Sequence, residues 1–513
     1  MKLSERLDNA IGFFSPVRGH QRKVARSKTN YLNRYDGASK SDRSMRNWKT
    51  VKNTANDDIL PDLDALIERS RDLDQNNPIA TGINKTKGTN VVGTGLKYHA
   101  RIDRDVLSLT EEQADEWEAT AEREFVMFFG GKDVDITRQN EGGELTRMVY
   151  DQKNLNGGSL ILFVDSPVRG RPYRKRIQII EIDRLSNPNG APDTDTLAGG
   201  IETDAFGAPK TYHIANEGSN SLAAATKWEP IPAISPKTGL PNLLHVYHKK
   251  RPGQARGVPD IHAVIKSLHI VGKYITSEQI SAEMSSNFTI FIETPEGDGS
   301  LDYSLIADET GQKSTDKDLK MAPGLIVDLA KGEKVHDSNP GRPNPNFDPF
   351  FMANMKIIAM GVELPLEIIM KFFSASYSAS RGAKLEAWTT FMSERGFIVK
   401  NFLKPVVDVW MYEAVASGRL SAPGFFTNPT IRKAYSGCVF IGSAMGHVDE
   451  VKAIKAAIDR ITSGISTISE ETTLITGGDW EVNHKQAVKE RKKRIADGLI
   501  KEEKEEPLEI KKK

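Results

Sequence analysis

At 513 residues, with 38% hydrophobic and 27% charged, the chain holds enough apolar material for two or three ordinary domains. Its 70 Lys and Arg against 69 Asp and Glu leave a net charge of +1, which excludes a protein whose overall field draws in polyanions. A local basic belt remains compatible with that sum.

Residues 1–56 read as an extended arm. Arg18, Arg22, Lys23, Arg26 and Lys28 are followed by Tyr31, Tyr35 and Trp48, a basic stretch with aromatics that suits either nucleic acid or packing on a neighbouring subunit. The simpler reading is a solvated arm of the second kind. Met1 to Pro16 lacks the basic onset and long apolar stretch of a signal peptide, and no apolar run approaches the roughly 18 residues of a membrane span. The single cysteine, Cys438, rules out an internal disulfide, fits synthesis in a reducing cytoplasm and reads as a buried structural thiol.

From residue 57 to 257 helical and strand patterns alternate. Leu63, Leu66, Ile67, Ser70 and Leu73 step as a helix, and Glu111 to Phe129 is a second one. Leu155 to Asp165 and Ile177 to Ile182 carry the apolar runs of strands, so the segment predicts an α+β domain. Pro259 to Ser286 follows as a helix with one stripe, Ile261, Val264, Ile265, Leu268, Val271, Ile275 and Ile280; Pro259 and Asp260 suit its first turn. Phe288 to Glu293 and Gly324 to Leu329 read as strands, and Phe347 to Met360 returns to helix before Pro365. That order predicts two antiparallel helices with a small β-containing insertion at one end.

The run from Ser374 to Gly382 is too polar for a core and too short for a linker. We read it as a loop mounted on a long helix, in which Leu385, Trp388, Met392, Val399, Phe402, Val406, Trp410 and Ala414 recur at helical steps. Ser393 and Gly396 weaken that helix, and Pro405 predicts a bend. Beyond Ser421 comes a loop-rich return, then helices from Asp449 to Ile461 and Asn483 to Gly498. The charged ending, 499–513, has the composition of a disordered tail.

No catalytic constellation emerges. Gly272-Lys273 is followed by Tyr274 and sits in an amphipathic helix, so it is no phosphate-cradling loop; Gly93-Thr94-Gly95 lacks the third glycine of a dinucleotide fingerprint. His245 and His248, three apart on a strand, point to opposite faces and predict no shared metal. Asp133 and Asp135 lack a partner acid or base and read as solvated surface. No cofactor, metal or catalytic residue is therefore expected.

Several segments, in order along the chain, resemble the lambda-type family of tailed-phage portal proteins. They are Arg69 to Leu73 with Asn76-Asn77-Pro78, Val92 to Leu96, Ile182 to Leu185, Gly200 to Asp204, Gly207 to His213, Arg251 to Gln254, Gly257 to His262, Met321 to Gly324, and above all Ser376 to Trp388. The resemblance implies an α+β portal fold: an arm (1–56), an α/β wing (57–257), a first stem helix (258–286), a clip (287–345), a second stem helix (346–363), a tunnel loop (364–382), a long bent helix (383–418), a helical C-terminal wing or crown (419–498) and the tail. It implies a ring of about twelve copies at one vertex of the virion head, assembled in the host cytoplasm. Double-stranded DNA passes through its channel, and its partners are the terminase large subunit, the major capsid or scaffolding protein, and head-completion and tail-connector proteins. An N-terminal piece can be lost in such portals during head maturation.

The same resemblance places the tunnel loop beside DNA, with Ser374, Ser376, Ser378 and Ser380 as small hydroxyl contacts and Lys371, Arg381 and Lys384 as flanking cations. The alternative for Arg381 and Lys384 is that they pair instead with acids such as Glu386 or Glu394, or with a neighbouring subunit, and serve ring stability. Lys266 and Lys273, seven apart on the first stem helix, should share a lumenal face. The rival readings are a monomeric DNA-binding phage adaptor and an enzyme, a nuclease or protease, with an unrecognised site.

Overall fold

The computed structural model describes residues 10–31, 35–39, 42–216, 227–286, 291–293, 327–329, 344–373, 376–446 and 449–500. Ser374, most of 287–345 and the tail from residue 501 lie outside them. The chain divides into two compact units, Met1–Asp57 and Asp58–Lys513.

The first unit corrects the expectation of an extended arm. Residues 10–14 are helical, and α1 (Pro16–Tyr31) carries the basic stretch as a helix. Pro16 is preset for a first helical position, and Gln21 to Ala25 is made mostly of good helix formers.

The second unit opens through α2 (Ala55–Asn76) and α3 (Pro78–Val91). Asn77 starts α3 by accepting from the amides of Ile79 and Ala80, with Pro78 behind it. β1 (Lys97–Ala100), the short α4 (Arg104–Leu107) and α5 (Glu111–Phe129) follow, and Thr110 and Gln113 form a capping box on α5. α6 (Gly142–Asn156) ends on Gly157, whose φ of +80° favours glycine. β2 (Ser159–Asp165) and β3 (Lys175–Ile180) form a hairpin. A four-stranded antiparallel sheet comes next: β4 (Leu197–Ala198), β5 (Ile201–Thr203), β6 (Pro209–Ala215) and β7 (Trp228–Pro232). β8 (Leu243–Val246) then joins β2 on the side away from β3.

α7 (Ile265–Ser286) starts later than the sequence stripe suggests, because Ile261 and Val264 are buried within turns ahead of it. β9 (Phe291–Glu293) and β10 (Val327–Leu329) pair in parallel, and α8 (Phe347–Gly361) follows. After α9 (Leu366–Met370), α10 (Tyr377–Ile398), a π-helical turn at Val399–Leu403 and α11 (Lys404–Ala416) make one long interrupted helix. The interruption falls where Pro405 was expected to disturb it. Lacking an N–H, Pro405 cannot donate to the carbonyl four residues back, and widening the turn before it accommodates the ring. The chain ends with α12 (Pro429–Tyr435), β11 (Cys438–Ile441), α13 (Glu450–Thr462), α14 (Ile468–Thr476) and α15 (Trp480–Ala496). β11 pairs antiparallel with β1, more than three hundred residues away, from Lys97↔Ile441 to Ala100↔Cys438.

Mixed helices and small antiparallel sheets bear out the α+β class. The main core gathers around Trp410, which is fully buried among Tyr98, Phe125 and Tyr173. Arg419 closes the end of the long helix onto α5 with a bidentate pair to Glu124 at 2.6 and 2.9 Å, and Tyr173 donates to the same carboxylate. A second cluster, including Leu63, Ile67, Leu160, Ile180 and Tyr212, joins α2 to both sheets. Cys438 is half-buried, and burial pushes its thiol up to about 11, which leaves it protonated at neutral pH.

Candidate nucleic-acid interface

α7 and α8 run antiparallel, as two contacts at opposite ends establish. Tyr274 stacks on Phe347 at 5.6 Å and meets Phe350 edge-on at 4.8 Å, while Val264, just ahead of α7, lies against Gly361 at the far end of α8. A Cβ at Gly361 would sit 2.4 Å from Val264 Cγ1, so the close approach needs glycine there. Asn344 donates to Tyr274 Oη (3.1 Å) and Glu278 (2.9 Å) and fastens the start of α8 to α7.

Leu268 and Val271 bury one side of α7. Lys266 and Lys273 lie on the other, exposed side with Ile270 between them, as their spacing predicts. Exposed Ile357 and Met360 give α8 an apolar surface too.

The Ser-rich run differs from the expected loop. Ser376 caps α10 by accepting from the Ala379 amide at 3.4 Å, and Ser378, Ser380, Arg381 and Lys384 already belong to the helix. The alanines interleaved with the serines favour helix, and a serine at the cap satisfies an otherwise orphaned amide. Only the residues ahead of Ser376 separate α9 from α10. Lys371 ends α9 in the left-handed region, φ +53°, and is exposed. Lys384 Nζ lies 5.6 Å from the centre of the Phe373 ring. Arg381 lines a hollow with Trp388 and with Asp449 and Lys452 at the C-terminal helices. The candidate cations thus fall in two groups, one on α7 and one at the α9–α10 corner.

Behind that corner lies a charged junction that the sequence reading missed. Lys153 of α6, 1% exposed in its side chain, donates to Glu394 of α10 (2.8 Å), contacts Asp260 (3.2 Å) and donates to Asn154 (2.8 Å). Lys87 of α3 reaches Asp260 at 3.3 Å, and His248 Nε2 donates to Glu394 at 2.9 Å while stacking on Phe397. Burial alone would raise the Glu394 carboxyl; the His248 hydrogen bond and the Lys153 ammonium overcome it and hold the group down at about 2. Next to it, Arg395 is buried in the opposite direction, donating to the carbonyls of Val91 (3.0 Å), Asn90 (2.9 Å) and Ser443 (3.2 Å), where it satisfies the end of α3. Charged side chains interrupting the apolar rhythm between Phe391 and Ile398 were the available signal.

Two further readings change. Asp135 is 2% exposed, not solvated: its carboxylate accepts from Thr137, Gln139 and Asn140 and organises their loop, while Asp133 pairs with Arg171. Asp260 belongs to the buried junction and not to a helix first turn. The two histidines go separate ways: His248 faces Glu394, and His245 is enclosed by Tyr212 and Tyr247. Among the described residues, no group of three or more His, Cys, Asp or Glu could hold a metal ion, and no helix is long and apolar enough to cross a membrane.

The model of the lambda family of phage portal proteins matches residues 41–395, more than half of the chain, and the chain belongs to that family. It is 23% identical to the portal protein of Escherichia phage N15 over 480 residues, 89% of each chain. It is 22% identical to portal protein B of Escherichia phage lambda over 490 residues, 91% of each. Among solved structures, the neck of a native gene transfer agent particle computed with C12 symmetry matches 80% of this chain and 92% of its own, at 12% identity and a TM-score of 0.39. A portal protein is a structural part of the virion: it forms the ring at a capsid vertex through which DNA is packaged and ejected, and on which other head and tail components dock.

Proposed function

We propose that about twelve copies of this chain close into the ring and that the exposed face of α7 and the α9–α10 corner line its channel. The observation that carries the reading is the two-sided character of α7: a core-facing side built on Leu268 and Val271, and a solvent side bearing Lys266 and Lys273. Exposed apolar residues on the same helix pair, Ile270, Ile357 and Met360, give neighbouring copies a surface to cover. Lys371, Lys384 and Arg381, with Ser376, Ser378 and Ser380 and with Ser374 just before them, supply weak phosphate contacts at the corner. Few such contacts per chain suffice, because the ring repeats each one, and too many would stall the duplex. The segment 287–345 is the docking surface for the terminase large subunit and later the connector proteins; the major capsid or scaffolding protein is a further partner of the ring.

Imaging purified protein should reveal closed rings with a central hole, and Lys273→Glu with Lys371→Glu should leave those rings intact while impairing DNA packaging or retention. A protein that stays monomeric at high concentration overturns the ring. Unchanged packaging and retention with every subunit substituted overturns the lumenal assignment.

A further inference from the structure

α15 (Trp480–Ala496) is fixed at its start and free along its length. Asp479 caps it by accepting from the Glu481 amide at 2.7 Å, and the same carboxylate lies 3.0 Å from His99 of β1 and 3.8 Å from Arg101 just beyond it. Glu481 adds a contact to Arg101 at 3.7 Å. No residue of the helix is buried.

Cations crowd the free part. Six of the ten residues from Lys485 to Arg494 are Lys or Arg, against one acid, Glu490, which accepts from Gln486 at 2.7 Å. All six are exposed. At about 100° per residue, Lys485, Lys489, Lys492 and Lys493 share an arc of about 100°, while Arg491 and Arg494 lie about 150° from its middle. Among the described residues, none of the four lysines meets an acid. Lysines three and four apart repel one another, so Lys489 is opposed by three like charges. An acid four residues before a lysine would relieve the stripe, but the one so placed, Glu481, is turned to Arg101. Lys493 and Arg494 suit the C-terminal end of the helix dipole; Lys485 and Lys489 lie too far from it for that use.

We propose that this lysine face binds the phosphate backbone of duplex DNA outside the channel. Lys485 and Lys493 are about 12 Å apart along the axis, a length over which a duplex presents about seven phosphates. Ammonium groups on flexible stems contact phosphates as point charges and read no bases, which suits a ring that meets every stretch of the DNA it admits. A lipid surface fits less well: the side opposite the lysines carries Asn483, Glu490, Arg491 and Arg494, where a surface helix needs an apolar face. The helix is anchored at β1, apart from α7 and the α9–α10 corner, and the site does not depend on their lumenal assignment.

The probe is relaxed, covalently closed circular plasmid DNA, which has no end to thread into a closed ring. Its binding to purified rings of the full chain is measured between about 50 and 200 mM salt. Lys489→Gln with Lys492→Gln should flatten the slope of log affinity against log salt by about two for each subunit the circle touches. Glutamine keeps the helix propensity and no buried contact is lost, so rings should form as in wild type. Should that pair disturb them, Lys485→Gln with Lys493→Gln carries the same test. Arg491→Gln with Arg494→Gln removes equal charge from the other side and should change the slope far less. An unchanged slope in the lysine variants, or an equal change in the arginine variant, overturns the site. The competing occupant is the chain's own acidic stretch, since five of the eight residues 502–509 are Glu. Lysine-dependent binding that emerges only after removal of residues 501–513 would assign the face to that segment and overturn it as a DNA surface of the full chain.

Discussion

Replacing Glu394 with Gln tests whether the buried junction holds the long helix in place. The substitution keeps the shape and removes the charge that Lys153 and His248 share. Lys153, 1% exposed, is left with Asp260, which Lys87 already contacts. The Glu394 pKa falls from 4.5 to about 2, a displacement equivalent to about 3 kcal/mol of preference for the folded state. Because the cluster shares that energy, about 3 kcal/mol is an upper figure, at the lower edge of what breaking a buried pair costs. A 513-residue ring subunit is no two-state system, so the readout is hydrogen exchange of α6 and α10 amides in assembled rings. A loss of about 3 kcal/mol accelerates exchange through local opening by roughly a hundredfold. The pH dependence has a definite sign. A depressed carboxyl contributes in full above its unfolded value of 4.5 and loses that contribution as pH falls toward about 2, so the difference between wild type and variant should shrink over that window. Exchange in α6 and α10 unchanged at pH 7, or a difference that persists undiminished at pH 3, would refute the reasoning.

His245 is buried, and among the described residues neither ring nitrogen finds a partner; burial followed by the Arg256 charge holds its pKa well below 6.5. The unfolded chain therefore takes up a proton that the folded one refuses: stability is full above 6.5 and drops by up to about 1.4 kcal/mol for each pH unit below it. His245→Leu should flatten the fall in thermal midpoint between pH 7 and 5.5, and an unaltered slope would show that another group titrates there. Gly361→Ala should separate α7 from α8 at a cost of about 1–3 kcal/mol, seen as a lower thermal midpoint and fewer rings. Val264→Ala should recover part of that loss in the double variant; additive losses would show that the two sites do not meet.

What the sequence disclosed followed from periodicity and special residues. Glu111 to Phe129 emerged as read, because an apolar face and a Thr110 cap agree. Pro405 announced the break in the long helix. α3 and α6 escaped notice: Thr81 to Asn90 is polar and glycine-bearing, and α6 opens on two glycines, so neither has a clean stripe. Their stability comes from tertiary contacts that no local window contains, among them Arg395 on the end of α3 and Lys153 bound to α10. The β1–β11 pairing was invisible for the same reason, since its register depends on residues far apart in the chain. The serine run misled through composition: serine reads as loop, but one serine at the cap and alanines behind it suffice for helix.

The adjacent pair Glu394 and Arg395 explains how a polar corner can be positioned from so far behind. On an α-helix, successive residues differ by about 100°, and these two carry opposite charges to different partners around α10. Glu394 meets the ammonium of Lys153 and the ring of His248, whereas Arg395 meets the carbonyl oxygens of Asn90, Val91 and Ser443. Turning α10 by one residue in one sense would bring a guanidinium toward Lys153, and in the other sense a carboxylate toward the carbonyls; either encounter is repulsive. Greasy packing alone tolerates such slippage at modest cost; a paired-charge register does not. The rotational setting of α10 is therefore fixed fourteen residues beyond Arg381, and with it the direction in which Ser378, Arg381 and Lys384 face. Beyond the charged junction α10 runs into the π turn at Val399–Leu403, where Phe402 and Leu403 are wholly buried. If the corner lines the channel as proposed, small polar residues there and a charge-locked register behind them would let it touch a moving polymer weakly without yielding to it.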